Sequence, residues 1–234
     1  MHNTIWAAAR LNLKNLKLSY LVTGIVLACT LIQDVVLIIL HQSTRMNSDQ
    51  QSLGWGMYFY LLPLLAAVTV PLRNLRRMVN LGAKRSTVYW GGLVTYVIAT
   101  AAASLLALIS FYLYEPFVVR ASGAVGRLSL IDTFGWASHG PITAFFQQFA
   151  FLLLLTVAIH TVVLMQDKWY GWVTDGVIVA IIAVFTPIAP LRGALVWFFS
   201  LIITSPSALQ IGSCLVLTAV IYGLSRLVLD AKPM

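Results

Sequence analysis

Residues 20–40 read YLVTGIVLACTLIQDVVLIIL, and that run decides the fold. Between Tyr20 and Leu40 the only charged side chain is Asp34. An α-helix rises about 1.5 Å per residue, so a run of this length reaches across the ~30 Å of hydrocarbon in a bilayer. A helix also closes its own backbone hydrogen bonds, which a chain surrounded by lipid tails must do. Working outward, comparable runs recur from Leu53 to Pro71, Val88 to Tyr114, Ala144 to Met165, from about Val173, and from Leu209 to Leu229. The expectation is an all-α integral membrane protein of about six transmembrane helices, a single domain over residues 1–234.

Composition agrees. The chain is 60% hydrophobic and 9% charged, with mean hydropathy +0.89, whereas a soluble domain is about a quarter charged. The fifth run is interrupted. It meets Thr186-Pro187 and Pro190, then continues from Leu195 to Ile203 before Ser205-Pro206. Proline removes a backbone donor, and the remaining stretch is too short for a second crossing. Residues 187–207 are therefore expected to form a short re-entrant or external helical segment. Cys29 and Cys214 lie in apolar runs without metal or redox spacing, as buried thiols do. The first apolar run starts late and is long enough to span, which reads as a span rather than a cleavable signal.

The net charge of +8 concerns the sides of a membrane, and no nucleic-acid partner is expected. With the N-terminus inside, the inner segments hold Arg10, Lys14, Lys17, Arg73, Arg76, Arg77, Lys84, Arg85, Lys168, Arg226 and Lys232. The outer segments hold Arg45, Arg120, Arg127 and Arg192. Excess Lys and Arg on the cytoplasmic side sets topology. Both termini are expected in the cytoplasm, in a multi-pass protein of the plasma (cytoplasmic) membrane.

Two basic segments have helical order. In residues 2–18, Ile5, Ala9, Leu13 and Leu16 recur at helical spacing while Arg10, Lys14 and Lys17 fall elsewhere. Such a helix is expected to lie along the headgroups, apolar side down. Residues 71–86 read PLRNLRRMVNLGAKRS. On a helix, Arg73, Arg76 and Arg77 share one face and Leu72, Leu75, Met78 and Val79 the other. Positive-inside charge alone accounts for the arginines but not for their segregation. Gly82-Ala-Lys-Arg-Ser86 lacks the first glycine and the Gly-Lys-Ser/Thr order of a phosphate loop, and no hydrolase or metalloprotease motif occurs. The chain is not expected to be an enzyme.

Taken together, the amphipathic leader, the basic segment with Asn80-Leu-Gly-Ala-Lys-Arg85, the six or so spans and the broken helix before the last resemble the ABC-2 type permease family. These are membrane subunits of ABC exporters. The resemblance covers nearly the whole chain and is one of architecture, with Leu81-Gly-Ala-x-Arg85 and Arg226 as its local marks. It implies that residues 2–18 are a connecting helix and that residues 72–86 are a cytoplasmic coupling helix seated on an ATPase subunit. Leu72, Arg73, Leu75, Arg76, Arg77, Met78 and Val79 would make that contact. It also implies a second permease copy or a related permease subunit, no cofactor on this chain, and ATP with Mg on the partner. The segment from Glu115 to about Pro141 is longer than the family pattern, as a lid or a loop.

Polar residues within the spans complete the candidates. Gln33 and Asp34 in the first span, and Glu115 at the end of the third, are candidates for a translocation path, because an ionisable group in a span is costly. For Asp34 a structural bond across helices or subunits is the favoured alternative. His160 reads as a satisfied bundle histidine, and Thr174-Asp175 as the N-cap of the fifth span. The expected cargo is hydrophobic or amphipathic (a lipid, drug or antimicrobial peptide). The rival reading is a membrane anchor or regulatory subunit, or an ATP-independent carrier.

Overall fold

A computed structural model describes residues 2–44, 52–122, 127–166 and 169–230. Arg45, Lys168 and Lys232, which entered the charge count, lie outside the described residues. Eight helices carry the fold: α1 (His2–Asn15), α2 (Lys17–Thr44), α3 (Trp55–Asn80), α4 (Arg85–Ser122), α5 (Pro141–Met165), α6 (Trp169–Phe185), α7 (Ala189–Ile203) and α8 (Ser207–Asp230). Among the described residues five of these, α2, α3, α4, α5 and α8, are long and apolar enough to cross a membrane. The protein is thus all-helical and of multi-pass membrane type. A two-residue parallel pair, β1 (Ser52–Leu53) with β2 (Arg127–Leu128), is a small addition at one end.

Two helices run on where prolines were expected to stop them. The second run does not end at Pro71; α3 passes through a wide (π) turn at Val70–Asn74 and continues to Asn80. The third does not end at Tyr114; α4 passes through a second wide turn at Ser110–Tyr114, then through Pro116, to Ser122. In each case the proline falls in or directly after a turn whose hydrogen bonds have shifted register, so its missing N–H is absorbed locally. The basic segment 72–86 is consequently not one separate helix. Its first part is the end of α3, a turn follows with Gly82 at φ +84°, and α4 begins at Arg85.

Side-chain pairings fix helix directions. Tyr96 meets His160 while Ala107 clusters with Leu152, so α4 and α5 are antiparallel. Ala150 and Leu154 cluster with Cys214, and the His160 ring lies 5.7 Å from that of Tyr222, so α5 and α8 are parallel. Parallel neighbours require a return between them, and α6 with α7 makes it. Their axes stand 118° apart across the break that contains Pro187. The Trp136 indole donates to the Ile203 carbonyl (2.9 Å), which ties the end of α7 to the segment between α4 and α5.

The main core joins Ala8, Val70, Leu75, Met78, Val88, Tyr96, Val157 and Tyr222 from five helices, with Leu16 from the α1–α2 junction. By contrast α2, α6 and α7 leave most of their apolar side chains uncovered, Trp172, Val179 and Trp197 among them. Lipid tails are as apolar as leucine, so such faces cost nothing in a bilayer.

Candidate functional site

Most charged side chains sit at the two ends of the bundle. At the basic end, α1 packs against the bundle. Ala8, Ala9, Asn12 and Leu16 are buried. A Cβ on Gly91 would stand 2.7 Å from the Ala8 Cβ, so the absence of a side chain there lets α1 and α4 touch. Asn12 donates to Thr95 (3.3 Å) and accepts from Asn74 (3.1 Å), which links α1, α3 and α4 through buried amides. Ala8 beside Gly91 and Asn12 beside Thr95 set α1 alongside α4 in the same direction. The reason is chemical: a helix face bearing Ala8, Ala9 and Asn12 is too small and too polar to favour lipid, and it fits a groove that offers partners.

The expected coupling residues divide. Leu75 and Met78 are buried in the main core, and Val79 packs against it. Arg73 and Arg77 are exposed, and so is Leu72, which leaves the apolar side. Arg76 lies in the same helix. The apolar face thus serves the chain's own packing, and what projects is the turn, with Leu81 75% exposed and Lys84 exposed beside it. Between this turn and α1 lies a groove of about 630 Å³, lined by Ile5, Ala8, Leu11, Met78, Ala83 and Lys84 among others.

Nearby, Tyr89 and Tyr222 stack at 4.3 Å, and each hydroxyl donates to the other's backbone carbonyl (2.7 and 2.6 Å). Arg226 lies 5.7 Å over the Tyr89 ring, within cation–π range. Arg85 donates to the Leu229 carbonyl (3.4 Å). His160 is held by the Tyr96 hydroxyl at 2.7 Å, a satisfied bundle histidine. Asp175 is no N-cap, since α6 begins at Trp169; it accepts from Gln166 (2.7 Å) and braces the junction of α5 and α6.

At the opposite end, Asp34 is buried and pairs with Arg127, whose two terminal nitrogens both donate to it. The Tyr114 hydroxyl adds a third donor at 3.0 Å. Glu115 is also buried, at the start of α3, where the backbone N–H groups of Trp55 and Gly56 face it. A carboxylate at a helix N-terminus complements the helix dipole. Gly54 makes room for it, because a Cβ there would meet Oε1 at 2.5 Å. Gln33 is exposed on α2 and takes no part. Of the three path candidates, the structure brings two to one end and gives both of them protein partners.

The segment after Ser122 is ordered structure where described. Gly54 donates to the Leu128 carbonyl (2.8 Å), Ile131 and Trp136 are buried with Ala144, and Ser129 caps a helical turn at Leu130–Thr133. Sequence reasoning missed Arg127 as the partner of Asp34, and Asn12 and Asn74 as a buried pair. Asn12 could have been found, since it sits four residues after Ala8 on the face of small side chains. Nothing local marked Arg127. Among the described residues no group of three or more His, Cys, Asp or Glu side chains converges as metal ligands would. No known protein family, no curated protein and no solved structure matches the chain.

Proposed function

We propose that the chain is the permease subunit of an ABC-2 type exporter that moves a hydrophobic or amphipathic substrate. In this reading it crosses the membrane six times, α6 and α7 together making the fifth crossing, and both termini lie in the cytoplasm. The observation that carries the reading is the basic end. There α1 and the α3–α4 turn line one apolar groove with Lys84 at its edge, the kind of receptacle an ATPase subunit needs to push on two elements at once. The coupling contact moves from the buried Leu75 and Met78 to the tip Leu81–Lys84. The uncovered faces of α2, α6 and α7 suit a second permease copy. The paired Asp34 and Arg127 act as a structural clasp near the far end rather than as ligands for cargo.

The test is affinity purification of the full chain from its native membrane, with ATP hydrolysis measured on the eluate. The reading expects a nucleotide-binding subunit that co-purifies with the wild type. It also expects loss of that subunit from Leu81→Glu with Lys84→Glu, whose insertion and yield are unchanged. A wild-type chain that purifies free of any ATPase, from membranes where it is active, sinks the reading in favour of an anchor or an ATP-independent carrier.

A further inference from the structure

A second recess at the basic end is chemically unlike the first. It has a volume of about 490 Å³ and lies where the α1–α2 junction meets α3, lined by Lys17, Arg73 and Arg77 with Asn15, Leu18 and Leu21. All three cations are exposed, and among the described residues no carboxylate pairs with any of them. Three like charges around one recess repel one another unless an anion sits between them. The wall of the recess is itself fixed, because Asn74 is buried and bonded to Asn12. A second, independent feature says what the anion is attached to. From the recess, Leu18, Leu21 and Ile25 follow one another along α2, all more than half exposed, at spacings of three and four residues that keep them on one face. Phosphate-binding cations at the foot of an uncovered apolar track match a headgroup with its acyl chains. Basic pockets between membrane helices hold anionic lipids in this manner.

We propose that Lys17, Arg73 and Arg77 bind the phosphate of an anionic phospholipid whose acyl chain lies along Leu18, Leu21 and Ile25. The site is independent of the transport reading, since it needs neither an ATPase nor cargo. Arginine supplies two parallel donors to phosphate oxygens and lysine a movable third charge.

The experiment uses the purified full chain in neutral detergent. Native mass spectrometry counts retained lipid while short-chain phosphatidylglycerol or phosphatidylcholine is titrated at constant ionic strength. We expect saturable retention of phosphatidylglycerol over phosphatidylcholine, weakened about tenfold or more by Arg73→Gln with Arg77→Gln. Arg10→Gln with Lys14→Gln removes two cations from α1 outside the recess and should leave retention unchanged. Lys17→Gln, a change to an exposed side chain, stands in if the double arginine variant does not fold, and should also weaken retention. Equal weakening by the α1 pair would reduce the effect to general charge and overturn the site. So would equal retention of phosphatidylcholine. Displacement of the lipid by millimolar inorganic phosphate or glycerol 3-phosphate would make this a free-phosphate site and overturn the lipid assignment.

Discussion

Asp34 and Arg127 are 93 residues apart in the chain, yet each is nearly sealed from solvent, with side chains 5% and 2% exposed. A buried ion pair contributes little in net terms because both ions lost their water, but breaking it from one side leaves the other charge stranded. Asp34→Asn is therefore expected to cost about 3 kcal/mol or more and to lower the unfolding temperature in detergent. Asp34→Leu combined with Arg127→Met should cost less than Asp34→Asn alone. Tyr114→Phe removes one hydrogen bond and should cost only about 1 kcal/mol. Equal losses for the single and the double change would mean that the pair is not the clasp it looks to be. The sequence marked Asp34 as out of place in an apolar run, and it favoured a bond across helices or subunits. It had no means of naming the partner, because Arg127 lies in a polar stretch where an arginine is ordinary.

Among the elements, α1 and the end of α3 differ most from their sequence reading. The periodicity of residues 2–18 located a helix correctly. What it covered was decided by shape: Ala8 against Gly91, and Asn12 between Thr95 and Asn74. Hydrophobic patterning separates apolar from polar but cannot say whether the apolar face meets lipid or protein, which is why a surface helix was expected. Gly91→Leu should drive α1 off α4, lower the unfolding temperature and open residues 2–15 to protease. Gly223→Ala, where an added Cβ meets nothing within 4 Å, should be neutral or stabilise by up to about 1 kcal/mol through helix propensity. The same contrast applies at the coupling segment. Leu75→Ala and Met78→Ala remove buried side chains and should each cost about 2–5 kcal/mol, whereas Leu81→Ala at the exposed tip should leave stability unchanged. If the two buried changes were silent and Leu81→Ala destabilised, α3 would not pack as described.

At the scale of the whole molecule, apolar run length was enough to locate the long helices, because a bilayer imposes one length on every span. Prolines misled the reading at Pro71 and Pro116, since a wide turn accommodates what a regular turn rejects. They were informative at Pro187, where the axis does break, by 118°. The charge asymmetry gives the expected topology a direct measurement. Single cysteines at Lys84 and Arg120, both exposed and at opposite ends of α4, should react with a membrane-impermeant maleimide from opposite sides. The one at 120 should label in intact cells and the one at 84 only after permeabilisation. Labelling of both from one side would remove α4 as a membrane-crossing helix.

The length of α4 has a mechanical side. At 38 residues it measures about 57 Å, nearly twice the hydrocarbon thickness, and its two ends serve different neighbours. Its first turns carry α1 at Gly91 and Thr95, while beyond the Ser110–Tyr114 turn Tyr114 reaches Asp34 and Glu115 reaches the start of α3. A rod pivoting near its middle swings its tips in opposite directions, and a tilt of roughly 5° moves each by about 2.5 Å. That is comparable to a hydrogen bond's reach, so a nudge at α1 is large enough, by lever geometry alone, to make or break the Tyr114 contact at the far end.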